Sequence, residues 1–209
     1  MTYVFVHGLG QSVNSWQETL DLVPLAPVAV PNLDAFLEPG AATYGELYQK
    51  FVAYCNQMEE PLHLCGLSLG GILALNYATQ FPEKVASLVL MGAQYKMPKK
   101  LLKVQNFVLR YAPMKVFDMG ALDKHTMLEL TTSMMDIDLS ADLDKITCPT
   151  LVACGSKDVP NKSAALEMTA AIPEAVYYQL EGVGHEGNTE APEKVAAMLK
   201  HFYQTAAPA

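Results

Sequence analysis

Unbroken apolar runs alternate along this chain with stretches in which apolar residues recur every three or four positions. The runs at residues 2–6, 62–65, 85–91, 147–154 and 176–180 have the length and side-chain content of strands, and Val28-Ala29-Val30 is a brief strand between Pro27 and Pro31. The run at 85–91 is apolar throughout, which predicts burial on both faces. Between the runs, residues 13–22, 43–55, 162–172 and 192–203 read as helices, and another helix runs to about Gln80 before Phe81-Pro82-Glu83-Lys84 breaks it. The helix from Thr43 has a cap residue with Glu46 three positions on, then Leu47, Phe51, Val52 and Cys55 at helical spacing. Strands alternating with helices predict parallel β-α-β units. The expected fold is α/β, a mostly parallel sheet of about six strands covered by helices on both faces.

The alternation stops between residues 94 and 144. Stretches 99–110 and 127–135 look helical there, punctuated by Pro98 and Pro113. No repeat, low-complexity tract or linker divides the chain, so one domain over residues 1–209 is expected, with 94–144 as a short helical cap or lid insertion. The insertion holds Met97, Met114, Met119, Met127, Met134 and Met135, six of the eleven methionines. Methionine fits irregular apolar shapes, so these residues suit either a substrate pocket or the loosely packed core of a small cap. Met97, Met114, Met119, Met127 and Met134 are the candidate substrate-binding residues. Arg110, the one arginine, reads as a solvated helix residue or a clamp for a substrate carboxylate.

Composition narrows the partners. With 209 residues, 51% of them hydrophobic, the chain can bury a full core. A formal net charge of -8 argues against nucleic acid or an anionic membrane and says little about a small neutral substrate. Cys55, Cys65, Cys148 and Cys154 show no Cys-x-x-Cys spacing and sit among apolar neighbours, which predicts reduced, buried thiols. Residues 1–6 carry no basic leader region, and no apolar run is long enough to span a bilayer. These features together predict a cytoplasmic location.

The chemistry centres on Gly66-Leu67-Ser68-Leu69-Gly70, a Gly-x-Ser-x-Gly turn between a predicted strand and a predicted helix. A serine on so sharp a turn stands above the sheet, and glycines two positions either side relieve the collision that the turn creates. The following helix aims its N-terminal amides at the same place. The plainer reading is a serine that caps the helix. His7-Gly8-Leu9-Gly10, just past the first strand, offers a glycine loop with freed amides, suited to holding an oxyanion. Ser68, Asp158 and His185 each follow a predicted strand, and a parallel sheet gathers those ends along one edge. A serine hydroxyl needs a base, and the base needs an acid to fix its tautomer. Among the histidines, His7 belongs to the glycine loop, His63 lies inside a strand, His125 in the insertion and His201 on the last helix, which leaves His185. Asp34, Asp144 and Glu186 compete as the acid. Glu186 adjoins the histidine and reaches its far nitrogen with difficulty, so Asp158 is the choice.

The chain resembles the α/β-hydrolase superfamily. The resemblance rests on His7-Gly8-Leu9-Gly10, Gly66-Leu67-Ser68-Leu69-Gly70-Gly71, the stretch from Pro149 to Gly155-Ser156-Lys157-Asp158, and Gly184-His185 with Glu190-Ala191-Pro192-Glu193-Lys194-Val195. It implies Ser68 as nucleophile, His185 as base, Asp158 as its partner, and the backbone amides of Leu9 and Leu69 as oxyanion hole. Against the family pattern, two strands that usually precede the first are missing, so the strand at Val28 becomes an edge that Pro27 and Pro31 blunt. The short insertion implies an open site, and Glu186-Gly187-Asn188 makes it more polar than usual. The expected function is hydrolysis of a small carboxylic ester through an acyl-enzyme, with no metal or cofactor. Thioester, amide or carbon-carbon bond cleavage, or a non-catalytic ligand receptor, are the alternatives that share the fold.

Overall fold

The computed structural model describes residues 1–37, 42–59, 61–99, 102–103, 106–107 and 123–206. Six strands, β1 (Tyr3–Val6), β2 (Val28–Ala29), β3 (Leu62–Leu67), β4 (Val85–Met91), β5 (Thr150–Gly155) and β6 (Val176–Leu180), form one sheet in the order β2-β1-β3-β4-β5-β6. Every pairing in it is parallel. The register sets Val6 beside Gly66, Leu67 beside Met91, Met91 beside Ala153 and Gly155 beside Leu180. The strands therefore finish nearly level, and the loops that follow them meet along one edge. Strand β2 is an edge, two residues long and flanked by Pro27 and Pro31.

Side chains alternate across the pleat. Val4, Val6, Leu64, Leu88, Leu90 and Val152 point to one face, where they pack with Leu47 and Phe51 of α2 (Tyr44–Cys55), Leu73 and Tyr77 of α3 (Leu69–Gln80) and Met168 of α5 (Val159–Ala171). Phe5, Cys65, Leu67, Val89, Met91 and Leu151 point to the other face, under Trp16 and the Val195, Leu199 and Phe202 side chains of α7 (Pro192–Ala206). Helix α1 (Gln17–Leu22) continues the turn that carries Trp16. Apolar side chains on both pleat faces explain the unbroken runs, which two-sided burial requires. The four cysteines are buried thiols. No helix among the described residues is long and apolar enough to cross a membrane.

Several boundaries move from those expected. Strand β5 begins at Thr150, because Pro149 lacks an N–H and contributes only its carbonyl, which accepts from Leu88 at 3.0 Å. Helix α4 (Lys124–Ser133) starts before Met127, since the Asp123 carboxylate accepts the amides of His125 and Thr126. Helix α5 starts at Val159, before Lys162, with Pro160 in the first turn, where its missing N–H costs nothing. A short helix, α6 (Gly187–Glu190), follows His185 and went unpredicted. In the region 94–144, Lys96 bridges to Asp138 in antiparallel fashion, and Met97 N–H donates to the Ile137 carbonyl. Most of the expected helix over 99–110, together with Arg110, Pro113, Met114 and Met119, lies outside the described residues.

Candidate active site

Ser68 joins β3 to α3 with φ 52° and ψ −116°, a conformation that costs about 1–3 kcal/mol and persists only when its surroundings enforce it. The surroundings do so. Ser68 N–H donates to the Met91 carbonyl at 2.9 Å, and Ile72 N–H donates to the Ser68 carbonyl at 3.0 Å. A Cβ on Gly66 would stand 2.3 Å from the Gly70 carbonyl oxygen, and one on Gly70 would stand 2.2 Å from that of Val6. Glycine at both positions is what allows strand, turn and helix to approach so closely.

Asp158 sits at the junction of β5 and α5 and is buried. Its carboxylate turns away from the helix amides. Oδ2 lies 2.8 Å from His185 Nδ1, which donates to it. Asn161 Nδ2 donates to Oδ1 at 2.8 Å and Oδ2 at 3.0 Å. The same amide nitrogen is 3.1 Å from His185 Nδ1; both are donors, so the Nδ1–H is directed at the carboxylate. That leaves Nε2 as the basic nitrogen. The hydrogen bond to Asp158 raises the His185 pKa above its ordinary value, against the opposing effect of burial, with Glu186 and Glu190 adding to the rise.

The backbone around His185 is also held. The Glu190 carboxylate accepts from Gly184 N–H at 2.7 Å and from Glu186 N–H at 3.0 Å, the two amides that flank the histidine. Gly92, just beyond β4 at φ +53°, lies under the pair. A Cβ there would be 3.0 Å from His185 Nδ1 and 3.1 Å from Asp158 Oδ2. Because Met91 also receives the Ser68 amide, one stretch of backbone touches the serine turn and the histidine–aspartate pair.

The glycine loop closes the other side. A Cβ on Gly8 would be 3.6 Å from Ser68 Cβ. Among the described residues, the amides of Leu9 and Leu69 donate to no protein acceptor. His7 Nδ1–H donates to the Gly8 carbonyl at 2.9 Å, and Nε2 accepts from Leu33 N–H at 3.2 Å, so the imidazole is neutral. Burial lowers its pKa, opposed by the Gly8 carbonyl and Asp34. Gln11 Oε1 accepts from Gly8 N–H and from Asn188 Nδ2, each at 3.1 Å, while Gln11 Nε2 donates back to Asn188 Oδ1 at 3.1 Å. This buried amide pair ties the glycine loop to α6, directly after His185. A polar cleft of about 320 Å³ opens beside it, lined by Gln11, Ser12, Ser15, Asp34, Glu186 and Thr189.

The other candidates lie elsewhere. His63 is stacked on Tyr3 and bonded to Ser87 Oγ, while His125 and His201 are exposed. Asp144 is exposed, and Asp34 faces His7. Met97 and Met134 belong to the main core, whereas Met127 packs against Leu9 in a small separate cluster. Gln11, Asn161 and Asn188 escaped the sequence reading because amide side chains carry no spacing signature. Glu190 was visible only as part of a motif. Among the described residues, no group of three His, Cys, Asp or Glu side chains could hold a metal ion.

Comparison with known proteins bears on this arrangement. Monoacylglycerol lipase ABHD6 of Bos taurus is 26% identical over 195 residues, covering 73% of this chain and 58% of that protein. Lipase 1 of Psychrobacter immobilis is 23% identical over 239 residues, covering 95% of this chain and 75% of that one. The chain thus spans less than two thirds of the length of ABHD6. A thermophilic esterase from Thermogutta terrifontis superposes with a TM-score of 0.84 at 21% identity, over 100% of this chain and 91% of that one. Residues 3–198 match the family described as "Alpha/beta hydrolase family", and with that match over nearly its whole length the chain belongs to it.

Proposed function

We propose that this protein is a serine hydrolase that cleaves small carboxylic esters through an acyl-enzyme. The observation that carries the reading is the 2.8 Å contact between His185 Nδ1 and the buried Asp158 carboxylate, at the sheet edge where Ser68 is held in a strained turn. Ser68 Oγ attacks the ester carbonyl while His185 Nε2 takes its proton. Asp158 holds the imidazole in the needed tautomer and balances the imidazolium. The amides of Leu9 and Leu69 receive the oxyanion, which is why their lack of other acceptors matters. Collapse expels the alcohol, protonated by His185. Water activated by the same nitrogen then attacks the acyl-enzyme, releasing the acid and restoring Ser68.

Two features bear on substrate choice. Residues 94–144 act as a lid within a single catalytic domain, and among the described residues Met127 packs against Leu9 of the oxyanion loop. The polar cleft suits the alcohol part of the ester, since an acyl chain gains nothing among hydroxyls and carboxylates. The similarity to lipases and to a monoacylglycerol lipase supports ester chemistry.

A fluorophosphonate probe tests the nucleophile. The intact mass should rise by one adduct, and Ser68→Ala should abolish it. Labelling that survives Ser68→Ala would overturn the assignment. Turnover of p-nitrophenyl esters beside matched thioesters and anilides tests the bond cleaved, with esters expected to be fastest.

A further inference from the structure

The Asp158 carboxylate stands at the N-cap position of α5 and makes no hydrogen bond to the helix amides. An aspartate there ordinarily accepts a backbone N–H from the first turn. Here φ −84° and ψ 65° swing it towards His185, and the side chain of Asn161, the third helical residue, takes over as donor. Asn161 Nδ2 straddles both carboxylate oxygens, at 2.8 and 3.0 Å. Its own Oδ1 accepts from Gln94 Nε2 at 2.7 Å, and Gln94 Nε2 also lies 3.4 Å from the Pro160 carbonyl. The acceptor role of Asn161 Oδ1 fixes the amide orientation, since a flipped amide would set oxygen against carboxylate. Among the described residues, Asn161 and His185 are the donors to this buried carboxylate.

We propose that Asn161, itself held by Gln94, is a positioning residue that orients the Asp158 carboxylate and moderates its pull on the His185 proton. The proposal rests on the triad reading above and adds a layer behind it. A carboxylate with two strong acceptor bonds on one side is pinned in rotation and shares its charge with the amide. Without Asn161, Oδ1 has no donor and a buried negative charge is concentrated on the oxygen that faces His185. The imidazolium is then favoured over the neutral base. The charged groups facing His185 are the carboxylates of Asp158, Glu186 and Glu190, and Asn161 acts on the first alone.

The test is steady-state hydrolysis of a short p-nitrophenyl ester across pH by the full chain. Asn161→Ala should lower kcat about tenfold or more, the scale of losing a hydrogen bond to a charged group. It should leave KM nearly unchanged and move the acid limb of the kcat/KM profile to higher pH. The nearly isosteric Asn161→Asp, which keeps the shape of the site if the alanine variant folds poorly, should move that limb further by placing a second carboxylate against the first. Gln94→Ala should shift it in the same direction by less. In an Asp158→Ala background, removing Asn161 should cost nothing more. The proposal is overturned if Asn161→Ala leaves kcat and the acid limb in place, or if its cost is the same with and without Asp158. Those outcomes with a damaging Asp158→Ala leave the triad standing, whereas a silent Asp158→Ala overturns the triad reading itself.

Discussion

Replacing Gly92 by alanine would set a methyl group against the two side chains that the proposed mechanism depends on most. The backbone at φ +53° is left-handed, which costs an L-residue about 1–2 kcal/mol. The new Cβ would stand 3.0 Å from His185 Nδ1 and 3.1 Å from both His185 Cε1 and Asp158 Oδ2. Contacts this short are tighter than nearly all that a real Cβ makes, so each neighbour must give by a few tenths of an ångström. Neither is the loose end of a long side chain, and they share the 2.8 Å bond that would spread. Stretching it past the range of charge-assisted bonds weakens the hold on the imidazole, and displacements of this scale cost catalysis about ten- to a hundredfold. The backbone cost should lower Tm by roughly 2–8 °C in a chain of this length. Gly182→Ala is the matched control: its φ is +77°, but the nearest atom to its Cβ is Lys194 Nζ at 3.8 Å. Thermal unfolding beside p-nitrophenyl ester kinetics should show similar Tm losses in both variants and a kcat loss in Gly92→Ala alone. Wild-type kcat in Gly92→Ala, or equal kcat losses in the two, would refute the argument.

The kcat/KM profile should have its acid limb above the ordinary histidine value of 6.5, because Asp158 raises the His185 pKa and only the neutral imidazole is a base. In stability the partly exposed His185 and the buried His7 oppose each other. The His185 contribution is fully present below 6.5 and is lost as pH rises through its raised folded value, whereas His7, with a lowered pKa, contributes above 6.5 and loses its contribution as pH falls through its folded value. His185→Gln and His7→Gln should each remove one slope from denaturation midpoints measured across pH. Asn188→Leu strips the Ser15 carbonyl and one face of Gln11 of partners, which should cost about 1–3 kcal/mol in urea unfolding and lower kcat through the Gly8 loop. With acyl chains of rising length, kcat/KM should climb about fourfold per methylene, then level off, and Met127→Ala should move the turning point without removing activity on the shortest ester. A profile unchanged by that substitution would make Met127 packing alone.

What the sequence determined by itself was everything whose cause lies within a few residues. The Gly66–Gly70 spacing encodes its turn because the collision it relieves is local, and Thr43 with Glu46 encodes a helix start because both halves of the capping box are three residues apart. The two-sided apolar runs declared a covered parallel sheet. From strand ends alone, Ser68, Asp158 and His185 could be placed on one edge, since a parallel sheet leaves them no other. Tertiary structure decided the rest. Gln11 and Asn188 are 177 positions apart, and nothing about either amide announces the other until β1 and the loop after β6 are brought to the same sheet edge. The methionines of region 94–144 were ambiguous for a related reason: methionine is equally at home in a core and at a pocket wall, so Met97 and Met134 are separated from Met127 only by what packs against them. Asn161 lies three residues from Asp158, close enough to be suspected. Whether its amide reached the carboxylate depended on the turn of the Asp158 backbone away from its own helix, towards His185 on the loop that follows β6.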